Sequence, residues 1–190
     1  MENTVTEEEL LCKAPHDPEA FGRLIEMYHE PLLRYVGRIS FFRPEDREDI
    51  LQNAYIKAYK NIHRFDQSMK FSTWLYHIVR NTTIDEIRKQ AVRPKLYSIL
   101  DEDIPNIFVA DENVSMDMWR QEDKEKIRKA ISELPEIYRE ILTLRYVEDK
   151  SYEEIMDIVE LPKGTVATRI NRAKKMILQN ISPTNLFHSI

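Results

Sequence analysis

Glycine is scarce, with three in 190 residues, and there is a single cysteine, Cys12. A lone cysteine excludes an internal disulfide, and Cys12 reads as an ordinary thiol rather than a redox switch. No run of about 18 apolar residues occurs, so no membrane span is expected. The first nine residues, Met1–Glu9, are acidic and lack a basic-then-apolar signal, which predicts a cytoplasmic protein. There is no Gly-rich phosphate loop, no His-Glu-x-x-His and no Cys-x-x-Cys, which argues against an enzyme and leaves no cofactor or metal to expect. Period-two alternation is rare. The first half has no strand pattern, so it is not an α/β receiver feeding a DNA-binding output.

Apolar residues recur at three and four positions instead, which predicts an all-α chain. Its length suits one or two small domains. The net charge of −5 conceals an uneven distribution. From Asp101 to Glu125 nine acids face two bases, a net −7, so the remainder carries +2. Local potential, rather than pI, then decides what the chain attracts.

The most informative stretch is Ser151–Lys175. Ser151 can cap a short helix, with Glu154 reaching back as a capping box. The pattern breaks between Val159 and Pro162, and Lys163, Gly164 and Thr165 open a second helix, with Thr165 offered as its N-cap. Val166, Ile170, Ala173 and Ile177 make one apolar stripe. Thr168, Asn171, Arg172 and Lys175, flanked by Arg169, occupy the other face. Five basic residues and no acid lie between Lys163 and Lys175. A basic face is most often simply solvated. Here it backs onto an apolar stripe in a helix-turn-helix pattern, which suits the DNA major groove.

Upstream, residues 1–14 are expected to be frayed or a partial helix. Asp17 can cap a helix with Pro18 in its first turn. Its stripe is Phe21, Leu24, Ile25, Tyr28, Leu32 and Val36, and Pro31 either kinks it or starts a new helix. The next helix follows Arg43-Pro44, burying Ile50, Leu51, Ala54, Ala58 and Ile62. Asp49, Gln52, Asn53, Ile56 and Lys60 lie elsewhere on it, as a solvated face or a protein-docking face. Residues 63–70 form a loop. Phe71 opens a helix to about Gln90, with Phe71, Leu75, Ile78, Val79 and Thr82 inward.

His77, Arg80, Asn81, Ile84 and Arg88 gather on another side of that helix. Between Lys70 and Lys95 six basic residues face two acids. Phe65, Trp74 and Tyr76 sit beside this face, and aromatics among cations suit single-stranded nucleic acid. Phe71 and Trp74 are better assigned to the core, leaving Phe65 as the stacking candidate.

Residues 94–120 carry Pro94, Pro105 and many acids, an acidic linker too long for a loop within one compact domain. Residues 15–93 and 121–180 are therefore two domains, with 181–190 a loose tail. In the second, Ile127, Ala130, Ile131 and Leu134 form one stripe. Pro135 starts another helix, with Ile137, Ile141, Leu144 and Arg145 on one side.

Four stretches together resemble one family. Glu48–Tyr59, Phe71–Lys89, Leu134–Tyr146 and Ser151–Ala173 are similar, in that order, to regions 2.2, 2.3–2.4, 4.1 and 4.2 of bacterial sigma-70 factors of the compact extracytoplasmic-function (ECF) group. The resemblance runs from roughly Asp17 to Gln179.

It implies that Asp49, Gln52, Asn53 and Ile56 dock on the clamp of the largest subunit of core RNA polymerase, and that the second domain meets the flap of the second subunit. It implies that Phe65, His77, Arg80, Asn81, Ile84 and Arg88 bind the unpaired non-template strand of the promoter −10 element. Lys163, Thr165, Thr168, Arg169, Asn171, Arg172 and Lys175 would read the −35 element as duplex. The linker would run through the polymerase towards its active site and RNA exit channel. An anti-sigma factor, often membrane-anchored in this family, is an expected partner.

Three departures stand out. Gln52-Asn53 replaces the usual Gln-Glu or Gln-Asp. Ala167 replaces a common lysine, removing a phosphate or base contact. Glu160 stands where glycine is usual, so the turn either takes another backbone conformation or is mildly strained. A stand-alone helix-turn-helix repressor or activator is the alternative reading, and a helical adaptor without DNA a third.

Overall fold

A computed structural model describes residues 6–90 and 129–181. The linker and the tail, with Ile127, Arg93 and Lys95, lie outside the described residues. The chain divides into two compact units, Met1–Tyr97 and Ser98–Ile190. Among the described residues there is no strand, and no helix is long and apolar enough to cross a membrane.

The first unit contains α1 (Glu7–Lys13), α2 (Pro18–Ile39), α3 (Pro44–Asn61) and α4 (Phe71–Gln90). α1 is a true helix. The Thr6 hydroxyl accepts from the Glu9 amide at 3.3 Å, and the Glu9 carboxylate accepts from the Thr6 amide at 3.2 Å, a reciprocal cap. Leu10 and Ala14 are buried, which holds α1 down.

Asp17 caps α2 through the Glu19 and Ala20 amides, with Pro18 at the helix start. Pro31 lies inside α2, which continues through it to Ile39. An interior proline costs roughly 3 kcal/mol. Leu32, Tyr35 and Val36, all fully buried just beyond it, offset that cost.

The predicted stripe of α3 is buried throughout: Ile50, Leu51, Ala54, Ala58 and Ile62. α3 and α4 are also joined by Lys57, whose ammonium donates to the Thr82 hydroxyl at 3.1 Å. At Gly37 the Arg47 guanidinium occupies the space a Cβ would need, so α3 approaches α2 closely there.

Three expectations for α4 need correction. Tyr76 is not beside the basic face. It is 3% exposed, with its ring 5.1 Å from that of Tyr35. Tyr76, Val79 and Thr83 form a second inward row next to Leu75, because α2 and α3 together cover more than one stripe of α4. Ile78 is only half-buried, and so is Trp74, while Phe71 is core as expected.

The second unit has a helical turn at residues 129–132, then α5 (Glu136–Leu142), α6 (Tyr152–Val159) and α7 (Lys163–Ile181). Ala130, Ile131, Leu134, Leu142, Ala173 and Ile177 pack in one cluster. α5 runs into a π-helical turn, Thr143–Val147, closed by the Glu148 amide donating to the Thr143 carbonyl at 3.0 Å. The Arg145 guanidinium then donates to the Lys150 carbonyl at 3.0 Å and lies 5.6 Å from the Tyr152 ring centroid. That side chain fixes the approach to α6. Arg139 is buried, and burial holds its guanidinium below the usual pKa.

The sequence pattern groups Ile137 with Ile141 on one side of α5. Ile141 is buried, but Ile137 is 43% exposed. It sits in the first turn of α5, at a cleft bordered by Gly164, Thr165 and Thr168. Pro162, Arg169 and Arg172 line the same cleft, which stays open over Ile137.

Candidate nucleic-acid interface

Local capping builds the helix-turn-helix. The Ser151 hydroxyl accepts from the Glu154 amide at 3.1 Å, and the Glu154 carboxylate accepts from the Ser151 amide at 2.8 Å. α6 ends at Glu160, whose φ of 55° and ψ of 48° are left-handed. The Leu161 amide donates back to the Met156 carbonyl at 3.2 Å, the bond of a Schellman ending. The turn thus keeps the conformation glycine would supply, and Glu160 bears the strain.

Thr165 is not the N-cap of α7. The helix starts at Lys163, and the Pro162 carbonyl accepts from the Thr165 and Val166 amides, so Thr165 lies within the first turn. Proline at the boundary needs no amide partner of its own.

Val166, Ile170, Ala173 and Ile177 are buried at 1% exposure or less. Thr168, Asn171, Arg172 and Lys175 are exposed, and Arg169 is half-buried. Two of the five bases are engaged within the unit. Lys163 pairs with Glu153 at 2.9 Å, which raises the lysine pKa and lowers that of the carboxyl. Lys174 lies 5.0 Å from the Tyr146 ring centroid. Arg172 and Lys175 carry the outward charge beside Asn171.

In the first unit His77, Arg80, Asn81 and Ile84 are half-buried and Arg88 is exposed on α4. The Arg80 guanidinium donates to the Asn81 carbonyl oxygen at 3.2 Å. The Asn81 amide nitrogen lies 2.6 Å from His77 Nε2, to which it donates when that nitrogen carries no proton. The three side chains are therefore a hydrogen-bonded run, held in place before any ligand arrives. Arg88 is 3.9 Å from Asp85, and Lys89 is 3.3 Å from Glu86, so acids temper this end.

Phe65 is less free than a loop residue reached from sequence. Its ring meets Trp74 at 5.3 Å and Phe71 at 5.7 Å, edge-on to the latter. Asp66 accepts from the Ser68 amide at 2.8 Å and tightens the loop; that bond holds its carboxyl below the usual range. Trp74 lies one helical turn before His77 and Ile78, so the aromatic cluster and the polar run share one side of α4.

On α3, Asp49, Gln52, Asn53 and Ile56 are all exposed. Their spacing makes one ridge, and Ile56 is 54% exposed on it.

Two side chains that sequence reasoning missed also border this region. Glu7 of α1 and Tyr28 of α2 line a cleft of about 940 Å³ whose far wall is the Phe65–Ser72 segment. The Tyr28 hydroxyl donates to the Glu7 carboxylate at 2.7 Å. The available signal was the Thr6-x-x-Glu9 capping box, which marks α1 as a real helix.

Residues 24–93 match Sigma-70 region 2, and residues 124–177 match Sigma-70, region 4. The ECF RNA polymerase sigma factor SigW of Bacillus subtilis is 35% identical over 174 residues, covering 87% of this chain and 90% of that protein. The ECF RNA polymerase sigma-E factor of Haemophilus influenzae is 36% identical over 176 residues, covering 88% and 90%. Among solved structures, the sigma factor RpoE from Bartonella quintana, in complex with the anti-sigma factor NepR, has a TM-score of 0.64 at 20% identity. It covers 85% of this chain and 96% of its own. CnrH, in complex with the cytosolic domain of CnrY, has a TM-score of 0.63 at 19% identity, covering 91% and 95%. These two likenesses concern the fold. With both regions matched in order and relatives above 30% identity across most of their length, the chain belongs to the sigma-70 family, as an ECF sigma factor.

Proposed function

We propose that this sigma factor brings core RNA polymerase to promoters through α3, reads the −35 duplex with α7, and traps unstacked −10 bases on the Phe65 and α4 surface. The observation that carries this is the presence, in one chain, of two different surfaces with chemistry suited to nucleic acid. One is a helix-turn-helix with Asn171, Arg172 and Lys175 outward. The other is an aromatic cluster next to the linked Arg80, Asn81 and His77. A protein that only bound duplex would need the first alone, and family membership displaces the stand-alone repressor or activator.

Extruding a base costs a few kcal/mol, which pocket stacking and hydrogen bonds must offset. An asparagine already oriented by two neighbours loses little further entropy on binding. The protein catalyses no reaction of its own; its work is binding energy spent on an open duplex. It acts in the cytoplasm beside its polymerase. An anti-sigma factor that covers one of these surfaces fits the same design. Residues 15–93 serve polymerase and the −10 element, 121–180 serve the −35 element, and 94–120 join them.

Run-off transcription with core polymerase on a genomic promoter library tests the reading. Transcripts that depend on the protein and share −10 and −35 boxes support it. Absence of such transcripts, with tight polymerase-free duplex binding, would overturn it. Asn81→Ala should impair promoter opening more than core binding, and equal losses in both would remove Asn81 from the −10 site.

A further inference from the structure

The histidines of the described residues divide into two kinds. His29 sits between the Tyr55 hydroxyl at 3.3 Å and the Glu48 carboxylate at 3.5 Å, and His77 belongs to the run with Asn81. His16 and His63 meet each other instead. Their ring centres are 5.5 Å apart with the planes at 54°, and both side chains are exposed. Among the described residues neither imidazole has a hydrogen-bond or ion-pair partner. An exposed pair of this kind buries little apolar surface, and two imidazolium charges so close would repel. What two neighbouring neutral imidazoles offer in common is a nitrogen lone pair each, the commonest protein ligand for a metal ion.

The fold brings these rings together across 47 positions of sequence. His16 closes the turn after α1, where its amide and that of Asp17 donate to the Lys13 carbonyl at 2.9 and 3.0 Å. Asp17 then caps α2 through its Oδ1, which ties the turn to that helix. His63 lies in the 3-10 turn Ile62–Arg64 that follows α3. Ile62 is buried there, and the Phe65 amide donates to its carbonyl at 3.1 Å. Both backbone positions are therefore fixed, while both exposed imidazoles keep side-chain freedom. Zinc–imidazole bonds are about 2.0–2.1 Å, so two imidazoles on one tetrahedral ion have centres about 5 Å apart. Rotation about the side-chain bonds is enough to reach that arrangement from 5.5 Å.

We propose that His16 and His63 form a two-imidazole site for a divalent late transition-metal ion, zinc or nickel. The ion staples the α1–α2 turn to the 3-10 turn that leads into Phe65. Imidazole suits these metals, whereas magnesium and calcium require oxygen ligands. Among the described residues no third His, Cys, Asp or Glu completes the set, so water fills the remaining positions. The affinity is that of a two-point chelate, not of a closed structural zinc site. The site is independent of promoter binding and stands or falls without it.

The test uses the untagged full chain carrying Cys12→Ser, so that the exposed thiol does not compete for the ion. Zn²⁺ and Ni²⁺ are titrated separately at mildly alkaline pH, where imidazole is free to ligate, with Mg²⁺ as the control. Zn²⁺ or Ni²⁺ should bind saturably, raise the thermal midpoint by several degrees near saturation, and slow hydrogen exchange at the Phe65 amide. Mg²⁺ should do none of these. His16→Gln and His63→Gln should each weaken binding about tenfold or more, because a single imidazole loses the chelate. His29→Gln should leave it unchanged.

A second readout needs no substitution in the pair. Paramagnetic Ni²⁺ should broaden the ring proton resonances of His16 and His63 together, before those of the other histidines. Absence of saturable binding by either ion would overturn the proposal. So would an affinity that survives in both glutamine variants or falls in only one of them, since a bridging ion needs both rings. Broadening that begins at another histidine would overturn it as well.

Discussion

Glu160 is a place where the chain holds a backbone conformation its side chain disfavours. Its φ of 55° places a Cβ-bearing residue in the left-handed region, at a cost of roughly 1–2 kcal/mol. Glu160→Gly removes that cost but returns about 0.4–1 kcal/mol through the greater freedom of the unfolded chain. The expected net gain is then about 0.5–1 kcal/mol. For a domain of roughly 60–100 residues this raises the midpoint by about 2–8 °C.

A graded series makes the argument sharper. Asparagine tolerates the left-handed region, so Glu160→Asn should fall between glutamate and glycine. Glu160→Val, β-branched, should fall below the parent. The assay is thermal unfolding of the full chain, with hydrogen exchange at the Leu161 amide reporting the turn itself. Because backbone angles are kept, Glu160→Gly should leave the α7 face intact, so any change in duplex affinity should be the modest, salt-dependent tightening that loss of one acid gives. A Glu160→Gly midpoint at or below the parent, or Glu160→Val at or above it, would refute the strain account.

Other substitutions probe the surfaces. Glu153→Gln releases Lys163 from its 2.9 Å pair and removes an acid near α7. Duplex binding should tighten a few-fold, with the salt slope steeper by about one, in a fluorescence titration at several salt concentrations. In the parent the pair depresses the Glu153 pKa, so any stability it adds is present above the unfolded carboxyl pKa and is lost as pH falls through the folded one. A Glu153→Gln variant should lack that acid limb. Arg172→Ala should weaken −35 duplex binding, by about 1–3 kcal/mol with relaxed specificity if it reads a base, or with a salt slope lower by about one if it holds a phosphate. Ile56→Asp should leave the midpoint within about 0.5 kcal/mol, since the side chain is 54% exposed, yet weaken association with core polymerase about tenfold.

Much of the fold was legible because helical information is local. Asp17, Ser151 and Glu154 cap the amides a few residues away, so their chemistry can be read without knowing any partner. The stripe Val166, Ile170, Ala173 and Ile177 follows from 3.6 residues per turn, and once it is buried the opposite face must be outward. Periodicity also places Asp49, Gln52, Asn53 and Ile56 on one ridge. What periodicity cannot supply is the identity of the neighbour. Tyr76 became core because Tyr35, 41 positions earlier, lies against it. Ile137 stayed exposed because it borders an open cleft with the first turns of α7 instead of packing against them. Phe65 met Trp74 and Phe71 only once the loop had folded back.

The candidate site divides the same way. Two kinds of surface were legible along the chain, since a basic hydrogen-bonding helix face and an aromatic-cation segment are properties of composition and helical period. Tertiary structure decided how each is tuned. Lys163 is held by Glu153 ten residues away, and Asn81 is oriented by both Arg80 and His77. Glu7 meets Tyr28 across 21 residues, so that α1 walls a cleft with Phe65. The physical reason is range. Capping and helical period act within a turn or two of chain, whereas a cleft exists only where separate segments, each satisfied in its own hydrogen bonds, are brought together by the burial of their apolar faces.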